Sequence, residues 1–134
     1  DWNKTYQKSK EYLQMLGCHV DPKEVVSNLN LAERRMVEFA KALSLKSKVI
    51  ILDEPTASLT AKETEQLFKV IRKLKEQNIG IIYISHRLNE VHEIGDRVTV
   101  FRNGERVETL DAQSTSTNKM IELMVGRQLT NIYP

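Results

Sequence analysis

The sequence contains an apolar run that ends in two carboxylates and a proline, Val49-Ile50-Ile51-Leu52-Asp53-Glu54-Pro55. The apolar part is too short for a helix, and unbroken runs of this length are typical of strands buried on both faces of a parallel sheet. Ile81-Ile82-Tyr83-Ile84 has the same character. We therefore expect two neighbouring strands, each covered on both faces.

The segment between the two runs has the pattern of an amphipathic helix. Thr60 and Glu63 have the spacing of a capping box at its start. Apolar side chains then recur at helical spacing, at Leu67, Val70, Ile71 and Leu74. A strand, a helix and a second strand in this order predict a right-handed parallel crossover and an α/β fold.

Helices are also predicted before the first strand. Residues 4–16 have the pattern of a polar helix that stops at Gly17, and Asp21-Pro22 is expected to open a short second helix. Asn30 is expected to cap a longer helix, with Glu33 at its third position. The buried stripe of that helix would be Met36, Phe39, Ala40 and Leu43.

The C-terminal part of the chain carries a hairpin signal. Asn103-Gly104 lies between the strand-like runs 98–101 and 105–110, and Asn-Gly in this position favours an antiparallel hairpin. Helices are predicted near 87–94 and over 118–125, and Gly126 is expected to end the second of them.

Composition limits the classes of function. The chain has 134 residues, enough for one domain, and a formal net charge of +2 from 20 basic and 18 acidic residues. This balance gives no strong electrostatic case for nucleic acid. The cations of the predicted central helix are typical of a solvated face, and DNA binding is the weaker interpretation of them. The single cysteine, Cys18, excludes an intramolecular disulfide and a cysteine-cluster metal site.

Polar residues follow both predicted strands. Asp53-Glu54 ends the first strand and Ser85-His86 the second, and catalytic groups in parallel sheets collect at such ends. Two carboxylates there suit nucleotide hydrolysis, with Asp53 holding Mg²⁺ through water and Glu54 polarising the attacking water. His86 would contact the γ-phosphate or orient that water. Taken singly, the acidic pair is also the pattern of a solvated strand end, and His86 that of a structural histidine.

Several segments together resemble one family. VIILDEPTASLT (Val49–Thr60) resembles the Walker B strand, catalytic glutamate and D-loop of ATP-binding cassette (ABC) ATPases. IIYISHRL (Ile81–Leu88) resembles their switch-histidine segment, and LNLAERRMVEFAKAL (Leu29–Leu43) falls where the ABC signature belongs. The hairpin at 98–110 and the ending MVGRQLTNIYP are similar to the first cassette of tandem ATPases that serve ribose, galactose and xylose importers.

The resemblance implies ATP hydrolysis coupled to sugar import, with ATP and Mg²⁺ as cofactors. It matches Asp53 to the Walker B aspartate, Glu54 to the general base and His86 to the switch histidine. The signature, which contacts the phosphate of ATP on a facing cassette, would be Asn30, Leu31, Ala32 and Glu33. The D-loop, which communicates between cassettes, would be Ala57, Ser58, Leu59 and Thr60.

The resemblance also implies a domain organisation and partners. Residues 1–134 would be the C-terminal portion of one nucleotide-binding domain of the P-loop NTPase type. Within it, about 1–45 would be the helical signature subdomain and about 46–134 the portion of the catalytic core with Walker B, D-loop, switch histidine and hairpin. The partners would be transmembrane permease subunits and a second cassette, with no nucleic acid expected. The subunit would lie on the cytoplasmic face of the cell membrane, held there by its permease.

Two departures from the family pattern bear on activity. Sugar importers have Leu-Ser-Val-Gly-Gln in the signature, so Ala32 replaces a glycine that lets the backbone approach phosphate, and Glu33 brings a like charge towards it. The same residues also fit an ordinary capping box. None of the five glycines is followed by lysine, so the phosphate-cradling loop G-x-x-x-x-G-K-[ST] does not occur in this sequence. In the family, that loop, the glutamine loop and the adenine-stacking aromatic all precede residue 1, and we expect the chain alone not to hydrolyse ATP.

Two other functions are compatible with the sequence, and the resemblance also has a consequence for how copies of the chain would associate. The chain could belong to a non-transport ABC ATPase, as in DNA repair or translation, or be a non-hydrolysing interaction module. ABC ATPases also have a strand between the switch-histidine strand and the next one, here between 81–84 and 98–101. The chain is therefore expected to self-associate, to swap elements between copies, or to bring these two strands together.

Overall fold

A computed structural model describes residues 1–126 of the chain. The last part of the ending that resembles sugar importers, residues 127–134, lies outside the described residues. The described residues form two compact units, Asp1–Ile84 and a second unit that begins at Ser85. The division near residue 45 follows the family correspondence and stays a prediction.

The first unit is an α/β arrangement around two parallel strands. Strands β1 and β2 pair in parallel, with Val49 opposite Gly80 and Asp53 opposite Ile84. Helix α3 connects them, which confirms the predicted parallel strand–helix–strand connection, and its right-handedness stays a prediction. The elements of this unit are α1 (Trp2–Met15), a 3-10 turn (Val26–Asn28), α2 (Leu31–Ser44), β1 (Val49–Asp53), α3 (Ala61–Glu76) and β2 (Gly80–Ile84).

The core of the first unit lies between one face of the sheet and the helices. All four apolar residues predicted for the buried stripe of α3 are buried, and Ile71 is the most deeply buried of them. Ile50 and Leu52 of β1 are buried as well, and the rings of Phe68 in α3 and Tyr83 in β2 form a T-shaped pair with centroids 6.3 Å apart. Both predicted capping boxes, at the starts of α2 and α3, are formed.

The prediction that both faces of these strands are buried is wrong. Val49 and Ile51 of β1 are 53% and 63% exposed, and Ile82 and Ile84 of β2 are 51% and 46% exposed. Side chains alternate between the faces of a strand, so these four share one face of the sheet. The helices of the first unit cover the opposite face only, which leaves an exposed apolar face formed by Val49, Ile51, Ile82 and Ile84.

The short helix predicted at Asp21-Pro22 is also not formed. The Asp21 carboxylate accepts the Lys23 N–H at 2.9 Å, and the Glu24 N–H donates to the Asp21 carbonyl at 2.9 Å, which closes a single turn. The Glu24 carboxylate then accepts a hydrogen bond from the side-chain amide of Asn28, the last residue of the 3-10 turn, at 2.7 Å. Side chains that bond to nearby backbone in this way compete with helix propagation, so the segment remains a pair of turns.

The second unit contains the predicted hairpin. Strands β3 (Arg97–Arg102) and β4 (Glu105–Asp111) pair antiparallel around Asn103 and Gly104, whose φ angles of 52° and 80° are both left-handed. This confirms the Asn-Gly turn, since such turns need positive φ at both central residues. The unit also contains α4 (Leu88–Ile94) and α5 (Thr117–Val125).

The two strand pairs form separate two-stranded sheets within the described residues. Direct pairing of β2 with β3, one of the three expected consequences for assembly, is therefore not formed. No helix in residues 1–126 is long and apolar enough to cross a membrane.

Candidate functional site

The acidic pair lies where β1 ends. Asp53 is the last residue of the strand and is exposed, and Glu54 follows it half-buried. Glu54 has a left-handed φ of 44°, which is uncommon for a residue other than glycine. Its N–H donates to the carbonyl of Ile84, the last residue of β2, at 2.9 Å. The chain thus turns sharply at Glu54 while remaining tied to the neighbouring strand, and strained backbone of this kind collects at functional sites.

Buried residues directly after the acidic pair anchor it. Pro55 and Thr56 are fully buried, and the Ala57 N–H donates to the Glu54 carbonyl at 3.3 Å. The Leu59 N–H donates to the Thr56 carbonyl at 3.1 Å, so two consecutive turns lead away from the strand. The acidic pair is therefore held by packing as well as by the bond to β2.

The predicted D-loop connects these turns to α3. Ala57 is exposed, and Ser58 and Leu59 are half-buried. Thr60 is the N-cap of α3, and its side chain accepts the Glu63 N–H while the Glu63 carboxylate accepts the Thr60 N–H at 2.8 Å. The hydroxyl oxygen of Ser58 is buried and has no hydrogen-bond partner among the described residues.

The predicted signature forms a self-contained helix cap. The Asn30 side chain accepts the Glu33 N–H at 2.9 Å, and the Glu33 carboxylate accepts the Asn30 N–H at 2.9 Å. Leu31 is exposed and Ala32 is half-buried at the first turn of α2. Two of the N–H groups at this helix start are thus bonded to the chain's own side chains.

Arg34 adds a contact that the sequence pattern did not indicate. Its Nε donates to the Leu29 carbonyl at 2.9 Å and its Nη2 to the Ser27 carbonyl at 3.1 Å. The guanidinium therefore holds the segment that enters α2. Both acceptors are carbonyls outside the helix, so helical periodicity carried no signal for this contact.

His86 belongs to the second unit, whereas Asp53 and Glu54 belong to the first. It is exposed in the segment that leads from the end of β2 into α4. Glu90, four residues after His86 and the third residue of α4, is buried, and the sequence pattern did not indicate this either. The burial of this carboxylate is evident only from the folded structure.

The carboxylates at the end of β1 are compatible with Mg²⁺. In residues 1–126 no cluster of three or more histidine, cysteine or acidic side chains could hold a metal ion by itself. Mg²⁺ in nucleotide sites needs only one or two carboxylates, because phosphates and water supply its other ligands. The exposed Asp53 carboxylate fits that role.

Comparison with known proteins identifies relatives among ABC transporter ATP-binding proteins. The profile of the ABC transporter family matches residues 3–57. The chain is 48% identical over 134 residues to the galactose/methyl galactoside import ATP-binding protein MglA of Fusobacterium nucleatum, covering 100% of this chain and 27% of that protein. It is 46% identical to the xylose import ATP-binding protein XylG of Thermoanaerobacter pseudethanolicus, covering 100% of this chain and 26% of that protein. The chain thus spans about a quarter of the length of these curated relatives.

Solved structures with the same fold are ABC transporter cassettes. The dimeric structure of MJ0796, a bacterial ABC transporter cassette, matches with a TM-score of 0.76 at 21% identity, covering 86% of this chain and 50% of that one. MJ1267, an ATP-binding cassette of an ABC transporter, matches with a TM-score of 0.73 at 25% identity, covering 90% of this chain and 49% of that one. These similarities confirm the predicted fold class.

Proposed function

The chain belongs to the ABC transporter family of ATP-binding proteins, and from this premise we propose that it is part of the ATP-hydrolysing subunit of a monosaccharide importer. The observation that carries the proposal is the Asp53-Glu54 pair, held at the end of β1 by a left-handed turn and a bond to β2. The similarity of the whole chain to galactose and xylose import proteins supports the substrate class.

Each residue of the candidate site has a proposed role in hydrolysis. Glu54 accepts a proton from the attacking water and orients it, and its fixed backbone limits the positions that its carboxylate can take. His86 contacts the γ-phosphate or the same water. Asp53 would hold Mg²⁺ through water, and the ion would neutralise charge on the phosphates. These groups supply positioning and charge, which phosphoryl transfer requires above all.

The signature and the D-loop serve the facing cassette in this proposal. A helix start favours anions because its first N–H groups point outward and the helix dipole is positive there. Asn30, Leu31, Ala32 and Glu33 occupy such a start in α2. Ala57, Ser58, Leu59 and Thr60 lie in the turns beside Glu54, so contact with a second cassette would reach the catalytic residues directly.

The proposed partners are transmembrane permease subunits and a second cassette, and nucleic acid is not among them. The relatives are import ATP-binding proteins by name, which supports a complex held by its permease at the cytoplasmic face of the membrane. In this arrangement the permease spans the membrane, and ATP hydrolysis by the cassette supplies the free energy for sugar uptake.

A non-hydrolysing interaction module is the second candidate, and one specific observation favours it. Asn30 and Glu33 satisfy each other at the start of α2, as an ordinary capping box does. Such a helix start presents a carboxylate where the facing nucleotide would place its phosphates.

Glu54→Gln in the full-length protein, reconstituted with its permease, separates the two candidates. We expect ATP binding to be retained and ATP turnover to fall by roughly 10²–10⁴-fold, the range for loss of a general base. His86→Ala should act in the same direction. Glu76→Gln, an exposed carboxylate at the end of α3, is the matched control and should keep full turnover. Unchanged turnover in Glu54→Gln would remove the assignment of Glu54, and absence of turnover in the unmodified complex would favour the interaction module.

A further inference from the structure

Glu90 is a buried carboxylate four residues after the proposed switch histidine, His86. It is 2% exposed, at the third position of α4. Acidic side chains are almost never buried to this extent unless they are paired, because removing a carboxylate from water is costly. The contacts that stabilise Glu90 therefore indicate what it holds in place.

Those contacts lie on both sides of His86. The Ser85 hydroxyl donates to Glu90 Oε2 at 3.0 Å and accepts the Arg87 N–H at 3.0 Å. The Arg87 guanidinium donates to Glu90 Oε1 at 3.5 Å. One carboxylate thus ties together the residue before His86 and the residue after it, while the imidazole of His86 stays exposed.

The arrangement differs from an ordinary helix cap. In a capping box, the acid at the third position accepts the N–H of the N-cap residue directly. Here the N-cap residue is Arg87, which makes no side-chain cap, and the Ser85 hydroxyl lies between its N–H and the Glu90 carboxylate. The inserted hydroxyl links the start of α4 to the residue that immediately follows β2, so the segment 85–87 is closed into a loop around His86.

We propose that Glu90 is a positioning residue for His86, acting through Ser85 and Arg87. This inference rests on the proposed function, in which His86 contacts the γ-phosphate or the attacking water. Glu90 does not touch the nucleotide in this scheme. It restricts the main chain at His86, and small displacements of a group in phosphoryl transfer lower the rate strongly.

A double-mutant cycle on ATP turnover tests the proposal in the full-length protein with its permease. Glu90→Ala should lower kcat about 10- to 100-fold, while KM for ATP changes less than about twofold, because the lost effect is on positioning and not on nucleotide binding. Glu90→Ala combined with His86→Ala should be no slower than His86→Ala alone, since Glu90 acts only through His86. Glu90→Gln keeps an acceptor for Ser85 and should recover part of the turnover.

Two further variants keep the test decisive. Glu93→Gln changes an exposed acid on the same helix and should leave kcat unchanged. Ser85→Ala removes the inserted hydroxyl with little change in volume, so it should lower kcat even where Glu90→Ala prevents folding. Normal kcat in both Glu90→Ala and Ser85→Ala, or losses that multiply with that of His86→Ala, would overturn the positioning role. Normal turnover in His86→Ala itself would instead overturn the proposed function of His86.

Discussion

Glu33 illustrates how one side chain can serve both a helix and a ligand site. Its carboxylate accepts the Asn30 N–H, so it stabilises the start of α2 at the position where the family has a glutamine. Glutamine can make the same capping contact. At this position of the predicted signature, the charge and not the capping geometry is therefore what differs from the family pattern.

Changing Ala32 to Gly and Glu33 to Gln together should improve the site at a small cost in helix stability, because glycine is less favourable than alanine in a helix. Removing a like charge near phosphate is worth about 1 kcal/mol or more, which corresponds to a several-fold gain in ATP affinity or turnover in the full-length complex. Titration of ATP against turnover measures the gain. Glu38→Gln, an exposed acid of the same helix, is the control and should change neither quantity. If the double variant behaves like the control, Glu33 acts only as a cap.

At the scale of elements, the end of α2 carries avoidable strain. Lys46 follows the last turn with a left-handed φ of 51°, and its N–H donates to the Leu43 carbonyl at 3.3 Å. Glycine is the usual residue at this position because it adopts positive φ without a steric penalty. The helix thus ends in the usual geometry with an unfavourable residue.

Lys46→Gly should raise the free energy of unfolding by about 0.5–1 kcal/mol, because the steric penalty is removed. Urea unfolding monitored by circular dichroism measures this change. Lys48→Gly is the matched control: Lys48 has no positive φ, so glycine there only adds flexibility to the unfolded chain and should lower the stability. A loss of stability in both variants would contradict the assignment of strain to Lys46.

Elements with strong local signals were predictable from the sequence, and those that depend on surroundings were not. The caps of α2 and α3 and the Asn-Gly hairpin are determined by side chains within a few residues, and all of them are confirmed. The Asp21 turn was predicted wrongly because Glu24 bonds to nearby backbone and to Asn28, an outcome that the capping pattern does not distinguish from a helix start. Burial of Glu90 and the exposed face of β1 and β2 depend on which elements pack nearby, so local patterns do not reveal them. The sequence identified Asp53 and Glu54 as candidate site residues, but it did not predict the left-handed backbone conformation of Glu54.

At the scale of the molecule, the 134-residue chain contains proposed catalytic residues without a phosphate-cradling glycine-lysine loop. Phosphoryl transfer depends on positioning and on charge neutralisation, and that loop is the main source of both in P-loop ATPases. The purified chain is therefore expected to show no ATP turnover in a phosphate-release assay. Turnover that Glu54→Gln abolishes would contradict this expectation, whereas turnover that persists in Glu54→Gln would indicate a contaminant.

The exposed apolar face of β1 and β2 leads to a prediction about association. Four aliphatic side chains share that face, and exposed patches of this kind mark interaction sites. The chain at high concentration should form dimers or larger species in sedimentation velocity, and Ile51→Lys should shift it towards the monomer. Val25→Lys, which places the same charge on an exposed apolar residue away from the sheet, should leave association unchanged. A monomer at all concentrations would show that this face is not used between copies.

Because the Glu54 N–H donates to the Ile84 carbonyl, the exchange rate of the Glu54 amide reports how often the ends of β1 and β2 separate. An amide proton exchanges with solvent deuterium only when its hydrogen bond opens, so exchange at Glu54 records how often the ends of β1 and β2 separate. Ile84 directly precedes the Ser85–Arg87 loop, and any movement of that loop that pulls on the end of β2 would be registered at the same amide. Hydrogen exchange at this one backbone position would thus report, without any substrate, how often the hydrogen bond between the proposed catalytic residue and its neighbouring strand opens.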